Sequence, residues 1–276
     1  MLDLILKAND TFKLFNNGDT VTVAFSGGAD SVALLHALIS LKEVLGITVN
    51  AAHLNHSIRD VEADRDQQFV IDFCKSLGVE IFCEKLDVPK YADENHLSLE
   101  LAAREVRYEF LNRVANGKIA TAHTASDNLE TLIFNLSRGT ALKGLCGIPP
   151  KRDIIIRPII FCTRTDVENY CKKHNLNYVT DSTNLCDDYS RNKIRHNVIP
   201  VLKEINSGVE FSTVRTALSL AEDNDFLENT SNHALFALLT DNGILTEGIT
   251  NLHTAIAKRV IKAYFAIYFP EITLEN

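Results

Sequence analysis

Apolar residues fall along this chain in two periods. Short runs dominated by Val, Ile and Phe, at Val21–Phe25, Thr48–His53, Val79–Leu86 and Ile119–His123, alternate with stretches in which apolar positions recur every three or four residues. The first run has little polar alternation, as a strand buried on both faces requires. Between the runs, Ser31–Leu45, Val61–Leu77, Leu97–Ala115 and Asp127–Ser137 read as helices, and Leu34, Leu35, Leu38, Leu41 and Leu45 fall on one side of the first. This β-α-β-α order predicts an α/β fold: a parallel sheet with right-handed crossovers and helices on both faces. Ligands of such sheets sit beyond the carboxyl ends of the strands.

A further strand is expected at Ile154–Ile156, ended by Arg157-Pro158 because proline cannot donate to the ladder. Thr163–Asn175 reads as a helix capped by Thr163 or Thr165, and Asp181–Arg191 as a polar loop. From Phe211 onward the pattern is helical, with Leu218, Leu220, Phe226, Leu227, Leu235, Phe236 and Leu239 as core candidates and Ile256–Phe269 as a last apolar helix. The break at Ile205-Asn206-Ser207-Gly208 separates an α/β domain, 1–206, from a small all-helical C-terminal domain, 207–276.

Composition narrows this picture. With 46% apolar and 23% charged residues the chain reads as an ordinary globular protein. It has no run of 18 apolar residues and no basic-then-apolar start, so the expectation is a cytoplasmic protein with no membrane segment. None of the six cysteines forms a C-x-x-C pair, which removes the usual spacing of metal clusters and redox dithiols. The net charge of −8 argues against a general nucleic-acid binder. Lys151–Lys203 nevertheless holds ten Lys and Arg against six Asp and Glu, a local +4 that leaves −12 elsewhere.

The chemistry concentrates at strand ends. Val21–Phe25 stops at Ser26-Gly27-Gly28-Ala29-Asp30-Ser31. A glycine-rich corner before a helix presents backbone N–H groups and the positive helix end to an anion, and serine hydroxyls can donate to phosphate oxygens. A plain turn with Asp30 as a helix cap would use the same residues. G-x-x-x-x-G-K-[ST] and G-x-G-x-x-G are both absent. The second strand ends in His53-Leu54-Asn55-His56-Ser57-Ile58-Arg59, where His53 is better placed for a ligand than His56. Arg104 and Arg107, three apart, share a helix face suited to a polyphosphate or an RNA backbone, although taken alone they are better explained by surface pairing with Glu100 and Glu105. His123 closes a strand, and Asp127 and Glu130 follow at i and i+3, able to hold Mg²⁺ through oxygens and water. The helix dipole alone accounts for Asp127 well and for Glu130 less well. Arg138-Gly139 ends that helix, and Asp181-Ser182-Thr183-Asn184 precedes Tyr189-Ser190-Arg191-Asn192-Lys193-Ile194-Arg195.

S-G-G-x-D-S after a strand resembles the PP-loop ATP pyrophosphatases, which cleave ATP between the α- and β-phosphates. The later segments, in order, are similar to the tRNA(Ile)-lysidine synthetases: L-N-H-x-x-R, the Glu100–Tyr108 stretch, T-A-H with Asp127 and Glu130, Arg157-Pro158, Asp181–Asn184 and R-N-x-x-R. The resemblance covers roughly residues 20 to 205 and implies a Rossmann-like PP-loop sheet. It implies that Ala24, Ser26, Gly27, Gly28, Asp30, Ser31, His53 and His123 bind ATP, with Asp30 and Asp127 near Mg²⁺. It implies catalytic roles for Asp30, Arg104, Arg107, Asp127 and Glu130, and tRNA contacts from Arg138, Arg191, Asn192 and Arg195. The implied reaction joins free L-lysine to cytidine 34 of tRNA(Ile) with a CAU anticodon; Asp127 and Glu130 could equally hold the lysine ammonium. A homodimer is compatible with the sequence. The departures are Ser126, where many members carry an acid, and Leu101, where a small residue is usual.

Overall fold

The computed structural model of the chain describes residues 1–57, 60–179 and 190–270, without the side chains of Asp60, Val61 and Ser190. Ile58, Arg59 and the Asp181–Asn184 and Tyr189 motif residues lie outside the described residues. In chain order the elements are α1 (Leu2–Phe12), β1 (Thr20–Ala24), α2 (Ala29–Leu45), β2 (Thr48–Asn55), α3 (Asp60–Ser76), β3 (Ile81–Lys85), α4 (Val88–Glu94) and α5 (Leu99–Val114). Then come β4 (Lys118–Ala120), α6 (Ala125–Ser137), α7 (Leu142–Leu145), β5 (Lys151–Arg152), β6 (Ile155–Ile156) and α8 (Arg164–Lys173). The remainder is α9 (Ser190–Lys193), a π-helical turn (Ile194–Val198), α10 (Ile199–Ile205), α11 (Val209–Leu238), β7 (Leu239–Thr240), β8 (Gly243–Ile244), α12 (Thr246–Thr250) and α13 (Thr254–Tyr268). The chain forms two compact units: Met1–Thr131 with Ile148–Val214, and Leu132–Gly147 with Arg215–Asn276.

The first unit holds a six-stranded sheet in the order β3-β2-β1-β4-β6-β5. The pairs β1–β2, β1–β4, β2–β3 and β4–β6 are parallel. Only β5, a two-residue edge strand, runs antiparallel, because the chain reverses onto β6 through Asp153 at φ 53°. The chain winds outward from β1 to β2 and β3, then returns to place β4 on the other side of β1. The strand order therefore reverses between β1 and β4, and the crevice beyond their carboxyl ends is the expected ligand position.

Both faces of the sheet are covered. Val21 and Val23 of β1 are fully buried, and α2 buries Val32, Ala33, Leu34, Leu35, Ala37 and Leu38 almost all round. The leucine stripe understates α2, which is flanked by both the sheet and α8. On alternate strand positions Ala52, Leu54 and Ile119 join Val88, Ala92, Ala102, Val106, Phe110 and Leu111 from α4 and α5 in a second core. The helix expected over 97–115 is shorter, because Ser98 caps α5 by accepting from the Leu101 N–H at 3.3 Å. A separate helix, α4, precedes it, capped by Asp87 and with proline in its first turn. Residues 192–205, unassigned in the sequence reading, are helical.

Among the described residues the regular structure of the second unit is helical apart from the β7–β8 hairpin. Two of its expected core residues are not core: Phe226 is 70% and Phe236 72% exposed. The buried stripe of α11 instead runs through Ala217, Ser231 and Leu235, at helical spacing, and both phenylalanines lie off it. Among the described residues no helix is long and apolar enough to cross a membrane.

Candidate active site

A cavity of about 840 Å³ opens at the carboxyl edge of the sheet, wholly within the first unit. That volume lies within the usual range of small-ligand sites. Its floor is the corner after β1. Gly27 has φ +85°, a conformation that disfavours any side chain, and a Cβ there would stand 3.0 Å from Val70 and 3.4 Å from Phe69. Gly28 is the N-cap of α2, so the first turn of that helix faces the cavity with unpaired N–H groups. The Ser31 hydroxyl donates to the Gly28 carbonyl at 2.9 Å and lies 3.1 Å from the Ser26 hydroxyl, which sets both serines at the rim of the corner. Ala24, Ser26, Gly28, Asp30 and Ser31 all line the cavity, and buried Gly27 shapes the turn beneath them.

Asp30 stands in the first turn of α2 with its carboxyl pushed up to about 6. Burial is the main cause and the charge of Asp127 adds to it, while Arg164 and Arg195 act the other way. Asp127 lines the same cavity from the start of α6. Its Oδ2 accepts from the Thr124 N–H at 2.8 Å and from the Thr124 hydroxyl at 2.9 Å, so it also serves as a helix-start carboxylate. One oxygen of Asp127 thus caps the helix, while the other, Oδ1, lies 3.9 Å from the Arg195 guanidinium. Asp30 and Asp127 together offer carboxylate oxygens of the kind that suits a hard divalent cation keeping water and phosphate ligands.

Glu130 does not line the cavity. It is buried and takes a two-pronged contact from Arg195, whose Nε and second guanidinium nitrogen donate at 2.6 and 2.8 Å. The same guanidinium lies 3.9 Å from Asp127 and lines the cavity. Arg195 reaches this position from the π-helical turn, an insertion often found where a side chain is re-aimed. Of the neighbouring motif residues, Asn192 is buried and Arg191 exposed. Arg138 belongs to the second unit, with its guanidinium 5.3 Å from the Phe134 ring.

Four imidazoles line the cavity, His196 from the π-helical turn and three from the strand ends: His53, His56 and His123. Burial lowers the last three, His56 and His123 to about 4, so they are neutral at pH 7. His53 Nδ1–H donates to the Phe25 carbonyl at 2.9 Å, which leaves Nε2 as a buried acceptor without a partner. His123 Nδ1 pairs with the Thr121 hydroxyl at 2.9 Å. Arg107 lines the cavity and Arg104 stands on the same helix face, each guanidinium within 6 Å of the Tyr108 ring.

Sequence reasoning missed Arg164, which lines the cavity from the first position of α8. Its signal was the Thr163 cap, which fixes where that helix starts. Ser126 is explained by its surroundings. It points away from the cavity, donates to Glu210 at 2.5 Å and accepts the Arg164 N–H at 3.0 Å.

A tRNA(Ile)-lysidine synthase of Clostridioides difficile (strain 630) is 39% identical over 273 residues, covering 95% of this chain and 59% of that protein. One from Clostridium perfringens (strain ATCC 13124) is 44% identical over 229 residues, covering 81% and 48%. The chain thus spans about half the length of the curated relatives it matches. Among solved structures, the U34-tRNA thiolase NcsA from Methanococcus maripaludis with its [4Fe-4S] cluster aligns with a TM-score of 0.66 at 19% identity, over 80% of this chain and 78% of that one; this similarity concerns the fold. The PP-loop domain model matches residues 4–202, a span that takes in the whole sheet and every residue lining the cavity, and the chain belongs to this ATP-binding PP-loop domain family.

Proposed function

We propose that this chain is the catalytic part of a tRNA(Ile)-lysidine synthase, joining L-lysine to cytidine 34 of a CAU-anticodon tRNA(Ile) with ATP. The observation that carries this reading is the identity to relatives of that name over nearly the whole chain, combined with a cavity that holds the matching motif residues. In the reaction the C2 oxygen of the cytosine attacks the α-phosphorus of ATP, and pyrophosphate leaves. The lysine ε-amine then attacks C2, AMP leaves with that oxygen, and the amine releases a proton. AMP is a far better leaving group than a carbonyl oxygen, which is why ATP is consumed. An anticodon-loop base is single-stranded and can enter the cavity at a modest unstacking cost.

The chain's residues divide this work. The α2 N-terminus, Ser26 and Ser31 receive phosphate oxygens. His53 Nε2 accepts a hydrogen bond from the nucleotide. Arg195 and Arg164 neutralise charge near the α-phosphorus, with Glu130 holding Arg195 in place. Asp30 and Asp127 would hold Mg²⁺, which when bound neutralises phosphate charge. Asp127 can alternatively take the lysine ammonium. Incubation with ATP, Mg²⁺, labelled lysine and tRNA(Ile) tests the whole reading. Label entering the RNA only when C34 is present supports it. No label in the RNA, with ATP–pyrophosphate exchange on a small carboxylic acid instead, overturns it.

A further inference from the structure

A second feature lies at the edge of the cavity and takes no part in the chemistry above. Three guanidiniums surround the Tyr108 ring: Arg104 at 5.1 Å, Arg107 at 5.7 Å and Arg152 at 5.8 Å from its centre. A fourth, Arg157, is 4% exposed and lies beside the Tyr108 side chain. Its terminal nitrogen donates to the Pro149 carbonyl, while its Nε is buried without a partner. Among the described residues no carboxylate forms an ion pair with any of the four. Arg152 and Arg104 push the Arg157 guanidinium down by like-charge repulsion, after burial itself.

Four cations gathered on one ring, in a chain of net charge −8, repel one another unless an anion joins them. Planar guanidiniums match phosphate oxygens two at a time. We propose that Arg104, Arg107, Arg152 and Arg157 around Tyr108 form a phosphate site for an RNA strand, taking a backbone phosphate next to the base that enters the cavity. The assignment rests on the RNA substrate proposed above. The ATP phosphates already have the Ser26–Ser31 corner. Arg107 and Tyr108 line the cavity, whereas Arg104 and Arg152, exposed like Arg107, do not line it. A ligand that reaches both must enter with one part and run over the rim with another. A splayed nucleotide does this, with its base inside and its phosphate outside.

Arg152→Ala tests this site, since the residue is exposed and forms part of a two-residue edge strand. The probe is a hairpin RNA with a CAU loop, titrated over a range of salt, with ATP and pyrophosphate titrated in parallel. The variant is expected to weaken RNA binding about five- to tenfold and to reduce the salt slope by about one phosphate contact, with ATP affinity unchanged. Arg152→Lys should restore the slope. Unchanged RNA binding, a loss confined to ATP or pyrophosphate, or an Arg152→Lys identical to Arg152→Ala would each overturn the site. All readouts are binding, so a parent protein that fails to transfer lysine breaks the proposed function without deciding this one.

Discussion

Two carboxylates near the cavity, Asp30 and Glu130, have opposite character. On the α2 side Asp30 is buried beside Asp127, and its carboxyl is pushed up to about 6. On the α6 side Glu130 is clasped by Arg195 at 2.6 and 2.8 Å. Asp30 is held at an energetic cost to the fold, and Glu130 is satisfied by it. A group kept in an unfavourable state by its surroundings is a candidate for ligand chemistry, and a fully paired one is a candidate for positioning. The difference separates roles that sequence spacing alone, with Asp127 and Glu130 three apart, had merged.

The largest expected effect comes from removing the costly carboxylate. Asp30→Asn should lower turnover by about 10²–10³-fold, the usual loss when one charge-stabilising group is removed. The same change should raise stability at neutral pH. The folded-state value of about 6 exceeds the ordinary aspartate value, so the native protein binds this proton more tightly than the unfolded chain does. Stability in EDTA should therefore fall as pH rises from about 4 to about 6, by about 3 kcal/mol, and level off above that. Asp30→Asn should remove that fall, as measured by urea midpoints across the range. A variant that keeps the pH slope would place the strain elsewhere.

On the other side, Glu130→Gln leaves Arg195 one-fifth exposed and without its main partner. Breaking a buried pair of this kind costs about 3 kcal/mol, and the urea midpoint should fall accordingly. Arg195→Met together with Glu130→Gln should recover most of that loss in stability, but not turnover. If the double variant also recovers turnover, Arg195 has no part in the chemistry.

Ser126 tests the same division at a third point. Its hydroxyl donates to Glu210, which also pairs with Lys203 at 2.8 Å, and both residues are buried. Ser126→Asp would set a second carboxylate against Glu210 and should cost about 2 kcal/mol. Glu210→Gln in the same chain should return much of it. Turnover per folded molecule should hold, because position 126 does not face the cavity.

What was legible in the sequence follows from how local each cause is. The corner after β1 was readable because a glycine at positive φ, a helix start and two hydroxyls lie within six residues. The strands were readable because burial on both faces favours β-branched, mostly apolar runs, as at Val21–Ala24. Arg195 was seen as a cation but not as the partner of Glu130, because 65 residues and a π-helical turn separate them. Arg164 was hidden because a charged first residue of a helix looks like any solvated one. Phe226 and Phe236 were misjudged because apolar character was taken for burial. Only the stripe through Ala217, Ser231 and Leu235 carries the helix period, and one of its members is polar.

The smallest expected effect concerns how Arg164 is held. The Thr163 hydroxyl donates to Asp166 at 2.7 Å and accepts the Asp166 N–H at 3.1 Å, a reciprocal cap that starts α8 just before Arg164. Thr163→Ala should cost about 1 kcal/mol of stability, and Thr163→Ser should restore it. The Arg164 N–H is also anchored by the Ser126 hydroxyl at 3.0 Å. One anchor therefore remains in the single variant, and the KM for ATP should change little. With Thr163→Ala and Ser126→Ala combined, both anchors are gone, and KM should rise by more than the product of the single effects. Purely multiplicative changes in KM would mean that the Arg164 guanidinium is positioned by its contacts inside the cavity, on the Asp30 side, and not by the helix start beneath it.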